Sequence, residues 1–173
     1  MKKLLLSKML CFALMTVSLS SWSQATEPPV QQWNELLLEA IRNDLARPNV
    51  HARNLHHFSS GQYALQLLTE GQDGTLADGN VTWPSIPGSI GTWTADTDEY
   101  RDMMATYAYR FIALRYAAAP GWSETAAALN AAFVSTTGTT PNVLLNSSAA
   151  AAFGFDIANA INEAYLNDGA NQI

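Results

Sequence analysis

The chain has 173 residues, 48% of them hydrophobic, which suffices for one packed core but not for two. It carries nine basic and 15 acidic side chains, a formal net charge of −6. Nucleic-acid binding and docking on an anionic membrane are disfavoured, because both need clustered cations and Arg42, Arg47, Arg53, Arg101, Arg110 and Arg115 are scattered among carboxylates.

The first residues have the three-part build of a secretory signal: Lys2 and Lys3, an apolar run from Met9 to Leu19, then the small residues Ser21, Ser23 and Ala25. A cut after Ala25 is favoured over one after Ser23, giving a signal peptide at 1–25 and one helical domain at 26–173. An uncleaved anchor would need ~20 apolar residues, and Ser7, Lys8, Thr16 and Ser18 interrupt the run. The expected location is therefore the periplasm or the exterior, with no stable membrane insertion after cleavage. The only cysteine, Cys11, lies in the leader, as do all three lysines, Lys2, Lys3 and Lys8. The mature chain would hold no disulfide, and six arginines would face fifteen acids, a net of −9. Lys8-Met9-Leu10 puts charge and bulk where a lipid-attachment site before Cys11 would have small residues.

From Gln31 to Ala46, apolar residues at Trp33, Leu36, Leu37, Ala40 and Ile41 trace one face of a helix, which Arg47-Pro48 ends. Asn49 is expected to cap a second helix running to about Glu70, with Gly71 as its stop. Residues 72–94 hold Asp-Gly pairs, prolines and glycines without helical or strand period and predict a long loop, whose Trp83, Ile86, Ile90 and Trp93 are too apolar for a free linker. Asp96 and Glu99 resemble a capping box and open a third helix to Ala118, stopped by Pro120-Gly121. Ser123 is expected to cap an alanine-rich fourth helix to about Val134, and the Thr, Gly and Pro cluster from Ser135 to Pro141 to break the chain. A last helix starts near Ser147, passes through Phe153, Ile157 and Ile161, and closes at Gly169. The class this predicts is all-α, an antiparallel helical bundle of about five helices with one long loop.

Few residues stand in a pattern that points to chemistry. His51, His56 and His57 share the second helix, but at 100° per residue His51 and His56 are roughly 140° apart and His57 falls about 100° beyond, so they cannot address one ion. No Gly-x-Ser-x-Gly turn occurs, and Ser59-Ser60-Gly61 lies mid-helix. Gly71-Gln72-Asp73-Gly74 ends a helix instead of opening one, and no lysine follows it as in a phosphate cradle. The acids Asp96, Asp98, Glu99 and Asp102 sit where carboxylates favour a helix N-terminus, and they lack the frame of a calcium loop. Asn80-Val81-Thr82 and Asn146-Ser147-Ser148 fit the glycosylation triplet, which matters only in a eukaryotic secretory route. Neither a catalytic, a cofactor-binding nor a metal-ligating residue is assigned.

Two segments together carry a family resemblance. The first is Trp33-Asn34-Glu35 continuing through Ala40-Ile41-Arg42-Asn43-Asp44, then Pro48 and Val50-His51-Ala52-Arg53-Asn54-Leu55, with Tyr63 at an aromatic position. The second is Asn159 and Ala160 leading to Asn167-Asp168-Gly169-Ala170-Asn171-Gln172. In order and separation they resemble the N-terminal half of the vanadium-dependent haloperoxidases, within the type 2 phosphatidic acid phosphatase superfamily.

That resemblance implies a helical protein whose full-length relatives hold vanadate or phosphate, the haloperoxidases oxidising halide with hydrogen peroxide. In the family a lysine, two arginines, a Ser-Gly-His segment and a further histidine hold the oxyanion, and these come from the C-terminal half. Here Arg47-Pro48 is similar to the family's Arg-Pro, but Ala40 stands where the lysine is expected, and Gly88-Ser89 is not followed by histidine. The matching residues Trp33, Asn34, Arg42, Asp44, His51, Arg53, Asp168, Gly169 and Asn171 are therefore expected to be structural. The expectation is a truncated or partial haloperoxidase-like exported protein, inactive alone, with vanadate bound only in a full-length relative. Its expected partner is a C-terminal half or a second copy. The alternative is a self-sufficient exported binding or scaffold protein that uses the Trp83 and Trp93 loop.

Overall fold

The computed structural model describes residues 29–45, 48–69 and 98–166, and over them the chain is an all-α helical bundle. Six helices follow in order: α1 Pro29–Asp44, α2 Pro48–Thr69, α3 Asp98–Tyr116, α4 Trp122–Thr137, α5 Pro141–Ser147 and α6 Ala149–Leu166. The predicted loop at 72–94, the signal peptide and the closing Gly169 lie outside the described residues.

Helix α1 buries the face its spacing predicts. Trp33, Leu37 and Ala40 are at most 1% exposed, and Leu36 and Ile41 pack on the same core. It ends at Asp44, two residues before the expected Ala46, and Leu45 takes a left-handed φ of 57° with its side chain 82% exposed. Asn49 does not cap α2, because the helix already includes Pro48: the proline ring fixes a helical φ and its missing amide proton costs nothing in the first turn. Inward from α2 point Asn54, His57, Phe58, Gly61, Gln62, Ala64 and Leu65.

Helix α3 is the centre of the bundle. Seven consecutive residues, Asp102 to Ala108, are buried, followed by Phe111, Ile112 and Tyr116, so the helix is covered on every side for two turns. Its most extensive neighbour is α6, and Gly154 lets the two backbones approach closely, since a Cβ there would collide with the Met103 carbonyl oxygen. Gly61 gives α2 a similar approach to the Tyr107 ring. Phe58 stacks on Tyr107 at 5.6 Å and meets Phe111 edge-on at 5.2 Å, which ties α2 to α3. On the other side Phe133 of α4 lies 6.5 Å from Trp33 and 5.3 Å from Tyr109.

The later helices differ from expectation at their ends. Ser123 is the second residue of α4, and the cap position is Gly121, which offers no side-chain bond. The helix continues to Thr137 and closes on Gly138, whose left-handed φ of 73° lets its amide reach Val134 O at 2.9 Å. Pro141 starts the short helix α5 instead of completing a break, for the same reason that Pro48 starts α2. Ser148 then separates α5 from α6 and caps the latter, its Oγ accepting from the Ala151 amide at 3.2 Å. Ser148→Ala is expected to lower stability by about 1 kcal/mol, read as a small drop in the urea midpoint with an unchanged m-value.

Candidate functional site

Few polar side chains penetrate the core, and several of them lie along the seam between α2 and α3. Asn54 Nδ2 donates to Tyr116 Oη at 3.1 Å across 62 residues of sequence, and both groups are buried. One turn along α2, His57 is 2% exposed and its Nδ1 stands 3.5 Å from Arg115 Nη2. A guanidinium only donates, so this long contact gives Nδ1 the acceptor role. The Arg115 head also lies 5.5 Å above the Phe111 ring. Tyr107 Oη closes the seam by donating to Phe58 O at 2.9 Å. At the neighbouring corner Asn43 Nδ2 donates to Thr125 Oγ1 at 3.2 Å, and a Cβ on Gly121 would stand 2.6 Å from that of Asn43, which seats the end of α1 on the α3–α4 turn.

Burial pushes the Tyr116 phenol up from 10.0 to about 12, and the Asp44 carboxylate adds to the rise; the Asn54 bond and Arg115 oppose it. The phenol is thus a neutral hydrogen-bonding group at any physiological pH, not a base. Because the folded state holds the proton more tightly than the unfolded chain, this contribution to stability is complete below pH 10 and is lost as pH rises from 10 towards 12. Tyr116→Phe is expected to flatten that alkaline decline in urea-unfolding stability while lowering stability near pH 7 by about 1 kcal/mol through the lost Asn54 bond. An alkaline limb as steep as in the parent chain would show that other groups set it.

The arginines of α3 point different ways. Arg101 pairs with Asp98 at 2.7 Å and Asp102 at 2.9 Å, while Arg110 donates to Asn159 Oδ1 at 2.9 Å and lies 4.6 Å over the Phe155 ring. Nine residues separate those two, roughly 180° around the helix, and Arg115 falls roughly 140° further on. Arg42 is exposed on α1, Arg53 is half-buried on α2, and Arg47 lies outside the described residues. Asp98, Glu99 and Asp102 line an open cleft of about 410 Å³ with Ser147, Ser148, Ala149 and Ala150. Among the described residues no three histidine, cysteine or acidic side chains are grouped to hold a metal ion. Of the histidines, His51 is half-buried, His56 exposed and His57 buried, and the last two rings are 5.8 Å apart and tilted by 57°.

The matching residues fall unevenly. Trp33 is wholly buried, Asn34, Asp44, His51 and Arg53 are half-buried, and Arg42 faces outward. Asp168, Gly169 and Asn171 lie outside the described residues, as do Asp96, Trp83 and Trp93. Sequence reasoning misses the partners in the seam, Tyr116 and Arg115, and the role of Asn54. The available signal is that Asn54 shares one stripe of α2 with Phe58, Gly61 and Leu65, where a polar residue needs a buried partner. No helix among the described residues is long and apolar enough to cross a membrane. Comparison with protein-family models, with curated proteins and with solved structures finds no match to this chain.

Proposed function

We propose that this chain is the N-terminal helical framework of a vanadium-dependent haloperoxidase-like protein, exported by its leader to the periplasm or the exterior and inactive by itself. The reading rests first on the two quoted segments, from Trp33 to Leu55 and from Asn159 to Gln172, whose order and separation resemble that family. One structural observation supports a framework role: Arg101, Arg110 and Arg115 are engaged at separate points around α3, by an acid pair, by Asn159 and by His57. A trianionic oxyanion needs several cations and donors converging on one point, because each contributes little once solvated and much when they act together. In this reading the oxyanion chemistry belongs to a C-terminal half, and helices α1 to α6 provide the packed surface that supports it.

Vanadate titration of the purified chain, followed by isothermal calorimetry and by halide oxidation in the presence of peroxide, tests the claim. The expected result is no saturable binding in the micromolar range and no turnover above the vanadate blank. Halide oxidation that depends on this chain, vanadate and peroxide together would overturn the framework reading. The nucleotide sequence beyond the codon for Ile173 is the complementary observation: coding for Lys, Arg-Pro and Ser-Gly-His there supports a haloperoxidase-like parent, and coding for unrelated sequence counts against it.

A further inference from the structure

We draw no further inference here: the strongest candidate, the open cleft where Asp98, Glu99 and Asp102 at the start of α3 face Ser147 and Ser148 at the α5–α6 break, is a carboxylate cluster whose most buried member is already paired with Arg101, and nothing in the structure shows what would occupy it.

Discussion

Gly154→Ala is expected to destabilise the bundle by roughly 1–3 kcal/mol, although alanine is the better helix former. In an exposed helix interior the same change would add about 0.8–1 kcal/mol through helix propensity. The sign reverses because the new methyl would meet the Met103 carbonyl oxygen, and would also lie 3.0 Å from the Met103 carbonyl carbon and 3.2 Å from its Cα. All three are backbone atoms of α3, which is packed on every side and cannot rotate away. Relief therefore requires α6 to move off α3 along its most extensive contact. At Gly61 a Cβ would instead meet side chains, the Tyr107 phenol and the Ile161 methyl end, so relief there costs the Tyr107 bond to Phe58 O and its stacking on Phe58 and needs no backbone shift of α3. Urea unfolding followed by circular dichroism checks this: the Gly154→Ala midpoint should fall by roughly 1 M at unchanged m-value. A midpoint equal to or above that of the parent would mean that α3 and α6 do not approach so closely.

What the sequence discloses of this fold depends on how one-sided each helix is. Helix α1 has a single apolar stripe, so Trp33, Leu36, Leu37, Ala40 and Ile41 announce both the helix and its buried face. Helix α3 has no polar side through its middle, and a pattern without contrast shows that a helix is buried without showing what surrounds it. Prolines mislead in one direction: Pro48 and Pro141 read as interruptions, yet each stands in the first turn of a helix, where the lost amide bond is no loss. Asn49 and Ser123 mislead in the other, since a residue suited to capping lies one position inside a helix that begins without it. The result is six helices among the described residues instead of about five, with α5 the addition. The polar seam is least legible, because Asn54 and Tyr116 stand 62 residues apart and His57 and Arg115 stand 58 apart. Local spacing holds no record of pairs that only the crossing of α2 and α3 creates.

Trp33→Ala should be the most damaging change in the first helix, with a loss of about 3–5 kcal/mol. The indole is 0% exposed and packs on Phe133 of α4, so removing it leaves a void between two helices that their other contacts hold apart. Trp33→Phe should recover most of that loss, for a reason particular to this position. Trp33 Nε1 is buried and has no hydrogen-bond partner among the described residues, so phenylalanine gives up volume but removes an unsatisfied donor. Thermal denaturation separates the two: in a chain of this length each kcal/mol moves the midpoint by about 2–4 °C, which places the alanine variant roughly 10 °C below the parent and the phenylalanine variant within a few degrees of it. If phenylalanine were as harmful as alanine, the N–H rather than the ring would be the group that matters. Trp33 would then be binding a polar partner, and its role in the bundle would have to be something other than packing.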